Sequence, residues 1–276
     1  MRAPRGAVPR AGVPDKPPGG LIWGVEIPEF IEHLADEGVR LATAAGRVGW
    51  DTPVPRTDWN VRDLVTHIGG VHRWAGHVIR TGATDLDTAA GRDVGRGPGD
   101  DELLEWFVTG HAALVSALRR APPDLAAATF LSAPSPLHFW ARRQAHETAI
   151  HRADAEAACG EVSTYAPGFA QDGIDELLHG FAARKSMAID RRATILLDVT
   201  DGPLWLVSLG GEHIDTDTID AVARAGLAGG DVDRAEVRGS SSDLYLWLWN
   251  RDSQVVLSGS QAVADLWTSA LRVRWS

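Results

Sequence analysis

From residue 25 to about residue 188, apolar side chains recur every three or four positions in one long segment after another. From about residue 193 that period gives way to short alternating runs. The change of period sets the fold class: helices that bury one face against each other, then a small unit of mixed strands and helices, an α+β chain. The first helical pattern is IPEFIEHLADEGVRLATAAGRV. The second, WNVRDLVTHIGGVHRWAGHVIRTG, offers Asn60 as N-cap after Trp59. The third, GDDELLEWFVTGHAALVSALRRAPP, opens on acids, closes on Arg119 and Arg120, and stops at Pro122, a charge order that complements the helix dipole. The fourth, PLHFWARRQAHETAIHRADAEAACG, starts at Pro136 and ends near Gly160. A fifth runs from about residue 168 to 188. Consecutive long helices without strand-like alternation predict an up-and-down bundle.

Beyond the bundle, ATILLDVT and PLWLVSLGG read as strands joined at Asp201-Gly202, a turn-forming pair. AEVRG and QVVLSG are further short strands, while DLYLWLWNR and QAVADLWTSALRV read as helices. The expected organisation is a flexible tail over residues 1–20, a helical bundle over 21–190 and a small α+β domain over 191–276. The tail is rich in Pro, Gly and Arg and lacks the apolar stretch of a secretory signal.

Charge and cysteine use narrow the function classes. The formal net charge is -10 and no segment gathers Lys and Arg, which argues against a nucleic-acid or anionic-membrane partner. No run approaches the roughly 18–20 apolar residues of a membrane span. A single cysteine, Cys159, excludes an internal disulfide and fits a reducing compartment, so the expected location is the cytoplasm. The 11 Trp residues read chiefly as core packing.

The chemistry concentrates on two helices. Glu147 and His151 are four apart on the fourth helix and so share a face, whereas His146 points about 100° away from Glu147. The pair supplies two of the three protein ligands of an open metal site, and it sits among Trp140, Ala145, Ile150 and Ala155 rather than in a charged run. On the second helix His67 lies between Val65, Ile68 and Val71, with Gly69 and Gly70 beyond it. A mid-helix Gly costs about 1 kcal/mol against Ala, which points to close approach of another group to that backbone. A hydrogen-bonded core histidine and a solvated Glu/His face are the plainer readings of the same residues.

At these residues VRDLVTHIGGVHRWA and RRQAHETAIHRADAEAA resemble the mycothiol-dependent maleylpyruvate isomerase family. VRGSSSDLYLWLWNR and LSGSQAVADLWTSALRV resemble that family's second domain, and the resemblance spans about residue 27 to 275. It implies a DinB-like four-helix bundle followed by a sterol-carrier-protein-like α+β module. It also implies a divalent metal, usually zinc, held at the positions of His67, Glu147 and His151.

The resemblance further implies mycothiol as thiol cosubstrate and a small electrophile as substrate. In the family's named reaction the thiol adds to a cis double bond, the adduct rotates about the new single bond, and elimination leaves the trans isomer. Thiol S-transfer is a related outcome. Two N ligands and one O ligand leave a fourth tetrahedral position for water or a thiol.

Asp63 and Asp154 are the candidates to orient the imidazoles. His72, Arg73 and Trp74 are candidates to line the pocket, with packing the commoner role for Trp74. Arg142, Arg143 and Arg152 are candidates to meet substrate carboxylates, with exposure to solvent their commoner state. Two other readings stay open. One is a metal-dependent hydrolase with Asp63 as a general base; the other is a metal-stabilised binding or regulatory module.

Overall fold

The computed structural model describes residues 25–86, 96–185, 192–210, 214–227 and 233–270. The proposed tail, most of the glycine-rich loop after the second helix, and the C-terminal end of the last helical pattern lie outside these residues. Four long helices lead: α1 (Ile27–Ala45), α2 (Val61–Thr81), α3 (Asp100–Arg120) and α4 (Pro136–Ala158). Asn60 caps α2 as expected, its side chain accepting from the Asp63 N–H at 2.9 Å, and Gly82 ends that helix at φ 63°. Both α1 and α2 pack against α3 and α4. That arrangement sets the His67 helix directly beside the helix of Glu147 and His151.

Helix α4 is the axis of the molecule. From Leu137 to Ala155 every residue except Arg142 is buried, including Arg143, His146, Glu147, His151, Arg152 and Asp154. A helix wrapped on all sides can carry charges only where each finds a partner. The α1–α3 layer covers one side. On the other lies α5 (Pro167–Asp175), which opens into a π-helical turn at Glu176–Phe181 and a short 3-10 turn at Ala182–Arg184. The single fifth helix expected from the sequence is thus three successive helical geometries within the described residues.

The C-terminal part is a mixed five-stranded sheet in the order β3-β2-β1-β4-β5. Strand β1 (Ala193–Val199) pairs antiparallel with β2 (Leu204–Leu209) and parallel with β4 (Asp233–Gly239). Strand β3 (Asp215–Ile219) and β5 (Val256–Gly259) pair antiparallel at the edges. Helix α6 (Ala221–Gly226) belongs to the β1–β4 crossover, while α7 (Ser241–Leu248) and α8 (Gln261–Ala270) pack on β1 and β4.

Sequence periodicity misses β3 and α6, because DTDTI is a polar edge strand and AVARAG buries nothing. The Asp201-Gly202 connection is also wider than a two-residue hairpin, since residues 200–203 separate the strands. Asp201 is drawn away to accept from the backbone N–H and hydroxyl of Ser241 at 2.7 and 2.9 Å.

The two parts share one core. Trp140, Trp205 and Trp267 are fully buried, in keeping with the packing reading of the tryptophans. Gly69 does mark a close approach: a Cβ there would lie 2.2 Å from the Trp106 ring. Gly173 of α5 is hemmed in from two sides, because its added Cβ would meet buried Tyr245 of α7 at 2.4 Å and His146 of α4 at 2.8 Å. We therefore expect Gly173→Ala to destabilise the protein by about 1–3 kcal/mol through overpacking. A lowered urea midpoint at unchanged m-value checks this, and an unchanged midpoint would refute it.

Candidate metal centre

Three side chains from α2 and α4 converge. His67 Nε2 lies 3.6 Å from Glu147 Oε1, and His151 Nε2 lies 3.3 Å from the same oxygen. All three potential ligand atoms fall within 4.8 Å of one another. The rings of His67 and His151 stand edge-on, with centroids 5.2 Å apart. His67 Nε2 and Glu147 Oε1 are buried without a hydrogen-bond partner, a costly arrangement in a folded chain unless another group completes it.

Ligands at about 2.0–2.1 Å from one tetrahedral ion stand about 3.3 Å apart. The two contacts to Glu147 already approach that edge length, so these residues fit a divalent ion of the zinc kind. The donor set, two imidazoles and a carboxylate, suits such an ion as well.

The far sides of Glu147 and His151 are occupied. Glu147 Oε2 accepts from Arg143 at 2.7 Å, and Arg143 also pairs with Glu176 of the π-helical turn. Burial alone would raise the Glu147 carboxyl, but the Arg143 charge and the two imidazoles hold it well below the usual range. His151 Nδ1 is 2.9 Å from Asp154, which is itself gripped by Arg251 at 2.5 and 2.9 Å. Burial works against charging His151, yet Asp154 and Glu147 push its pKa up to about 9. Burial likewise opposes ionisation of Asp154, and Arg251 overrides it, lowering that carboxyl to about 2.

Of the candidate supporting residues, Asp154 does meet one of the three converging side chains, His151, and Asp63 does not. Asp63 is exposed and closes the α2 capping box with Asn60, which removes the one base on which the hydrolase reading leaned. His72 turns inward, 2.8 Å from the Thr148 hydroxyl and beside His111; burial, then the His111 charge, drives its pKa well down. Arg73 lies over the Trp106 ring and donates to the Trp106 carbonyl. Trp74 packs edge-on against Trp140. His146 points away as its angle requires, between Asp172 at 2.8 Å and the Tyr245 hydroxyl at 3.0 Å.

The three arginines are neither exposed nor free to meet a substrate. Arg142 pairs with Asp172 and Asp175, and Arg152 pairs with Glu37 and Glu156. Arg143, as above, is committed to Glu147 and Glu176.

Three residues of the site escaped sequence reasoning. Trp59 packs on both imidazoles, with ring centroids 4.8 Å from His67 and 5.7 Å from His151. Its place just before the α2 cap gave no hint that the entering chain folds back over the site. Glu176 and Arg251 arrive from distant segments, and no local pattern connects them with α4.

Comparison with known proteins bears on this architecture. The family model described as the mycothiol maleylpyruvate isomerase N-terminal domain matches residues 31–156. The MDMPI C-terminal domain model matches residues 169–266. Among solved structures, the chain is similar to a crystal structure of the mycothiol-dependent maleylpyruvate isomerase, with TM-score 0.60 and 14% identity over 85% of this chain and 93% of that one. A histidine-to-alanine mutant of that isomerase matches over the same shares at TM-score 0.61 and 14% identity. At that identity the likeness speaks for the fold. No curated protein matches the sequence. The helical part followed by a small mixed sheet agrees with those structures, and with both family domains present in order, the chain belongs to the mycothiol-dependent maleylpyruvate isomerase family.

Proposed function

We propose that this protein binds one divalent metal, zinc being the usual one in its family, through His67, Glu147 and His151. Held there, the ion would supply activation of mycothiol for addition to a small electrophile, as in the isomerisation of maleylpyruvate. The observation that carries the reading is the pair of buried, unpartnered atoms, His67 Nε2 and Glu147 Oε1, facing His151 Nε2. When bound, a divalent metal stabilises the thiolate of an incoming thiol near neutral pH.

The chain's own part is to hold and insulate the ligands. Asp154 accepts the Nδ1 proton of His151 and so turns Nε2 toward the site. Trp59 covers one side of both imidazoles and keeps water from that side. The chain's only thiol does not compete: Cys159 donates to the Ala44 carbonyl at 3.2 Å, more than two turns beyond His151.

Charge balance points the same way. Glu147, Glu176 and Asp154 contribute three negative charges, while Arg143 and Arg251 contribute two positive ones. With a divalent ion held by neutral imidazoles, the cluster would carry one net positive charge, which suits a single anionic thiol in a low-dielectric setting. No described helix is long and apolar enough to cross a membrane. We place the protein in the cytoplasm, where a small thiol stays reduced.

The test is metal analysis of the purified protein, then turnover of maleylpyruvate and other small electrophiles with and without mycothiol, read by mass spectrometry for the thiol adduct. We expect thiol-dependent turnover. Equal turnover without thiol would move the assignment to a hydrolase; metal uptake with neither turnover nor adduct would move it to a binding module.

Proton linkage gives a second check. In the metal-free protein His151 is protonated up to about pH 9. Because its folded pKa is raised, its contribution to stability is full below about pH 6.5 and is lost as pH rises through about 9. A metal must displace that proton, so binding near pH 7 releases at least one proton, and affinity drops about tenfold per unit of falling pH. Calorimetry in buffers of different ionisation enthalpy reads the release. Metal binding at pH 7 with no proton release would contradict the raised pKa of His151 in the metal-free protein.

A further inference from the structure

The two oxygens of Glu147 face different tasks. Oε1 points at the imidazoles of His67 and His151, at 3.6 and 3.3 Å. Oε2 accepts from Arg143 at 2.7 Å. Arg143 is 1% exposed, and its other terminal nitrogen is taken by Glu176, itself 3% exposed. The Phe181 and Trp249 rings stand against the guanidinium, with centroids 5.2 and 5.6 Å from its Cζ.

Glu176 and Phe181 are the first and last residues of the π-helical turn, whose wider geometry is marked by the Ala182 N–H bonding back to the Leu177 carbonyl. That turn therefore presents both a carboxylate and a ring to one buried cation. The two carboxylates thus hold the guanidinium from both ends, with Oε2 of Glu147 as one of its acceptors.

We propose that Arg143, clamped by the π-helical turn through Glu176, is a positioning residue that reserves one carboxylate oxygen of Glu147 and restricts that ligand to a single metal–oxygen bond. A carboxylate with both oxygens free can chelate an ion and fill the position an incoming ligand needs. A carboxylate with one oxygen held in a buried, charge-assisted hydrogen bond can chelate only by giving up that bond, which leaves one face of the buried guanidinium without its acceptor. The π-helical turn thereby becomes part of the metal centre, although it touches no ligand directly. This inference rests on the proposed metal reading and goes one step beyond it, to the coordination number.

The test uses the full chain loaded with cobalt(II), whose visible absorption is strong in four-coordinate sites and weak at higher coordination. X-ray absorption or a crystal structure of the cobalt-loaded protein counts the carboxylate oxygens on the ion. The unaltered protein should show one oxygen from Glu147 and the strong visible band. The double variant Arg143→Met/Glu176→Leu removes both members of the clamp and so leaves only Glu147 to be satisfied. It should bring the second Glu147 oxygen onto cobalt, weaken the band, and lower cobalt affinity by about 10–100-fold.

Two Glu147 oxygens on the ion in the unaltered protein would overturn the proposal whether or not the variant folds. So would a folded double variant with the unaltered spectrum, even if its affinity had dropped, because the pair would then be merely structural. Failure of the unaltered protein to take up cobalt would sink the metal reading itself, and this inference with it.

Discussion

His67→Ala and His151→Ala should each abolish stoichiometric metal binding while the protein stays folded. Among the described residues none relies on His67 Nε2 for a hydrogen bond, and the ring packs against Trp59 and His151. Alanine is the best helix former, so truncation in the middle of α2 offsets part of the lost packing. In His151→Ala the neighbouring Asp154 remains paired with Arg251, which limits the damage on that side. Either change removes a proposed ligand, and the affinity loss should exceed the roughly 10–100-fold that follows loss of a residue which only supports one. Metal content by mass spectrometry, together with circular dichroism and urea unfolding, separates the outcomes. Retention of one metal per chain would refute the ligand assignment. Loss of metal with collapse of the fold would make the site a structural one.

Arg251→Met should damage both stability and metal affinity, and the two effects can be separated. Arg251 leaves the end of α7 to make two hydrogen bonds to Asp154, a carboxylate only 1% exposed. Removing Arg251 leaves the buried Asp154 with His151 as its remaining partner, at a cost of up to about 3–5 kcal/mol. In the intact protein the lowered Asp154 pKa stabilises the fold above about pH 4, a contribution lost as pH falls through about 2. Without Arg251, burial acts on Asp154 opposed chiefly by His151, so its pKa rises and its hold on the His151 ring weakens.

Metal affinity should fall by about 10–100-fold in Arg251→Met. Adding Asp154→Asn removes the stranded charge, so stability should recover by most of what was lost while affinity stays low. Recovery of affinity in that double variant would refute the role given to the Asp154–Arg251 pair. An Arg251→Met protein with unchanged urea midpoint and unchanged affinity would do so too.

The clarity of the sequence at α1 to α4, and its silence elsewhere, follow from range. Helical period, the Asn60 cap, the acid-to-base order of α3 and the Pro136 start are properties of residues a few positions apart, and each appears in the structure at its expected place. The shared face of Glu147 and His151 is equally local. Strand β3 and helix α6 carry no such period, because neither buries enough apolar surface to require one. Arg142, Arg143 and Arg152 show the limit most sharply. On a helix whose every face is covered, polarity no longer marks the side that meets water, and these cations are held by Asp172, Asp175, Glu176, Glu37 and Glu156.

The sequence by itself determined where the four long helices run, where the chain changes from bundle to mixed sheet, and which two ligand candidates share a helical face. Only the tertiary structure decided that His67 meets that face, that Trp59 folds over both imidazoles, and that Arg143 and Arg251 hold the outer edges of the site. The physical reason is that periodicity encodes which side of an element avoids water, a local matter, whereas pairing of buried charges depends on which distant segments pack together. That choice is made only when the whole core closes.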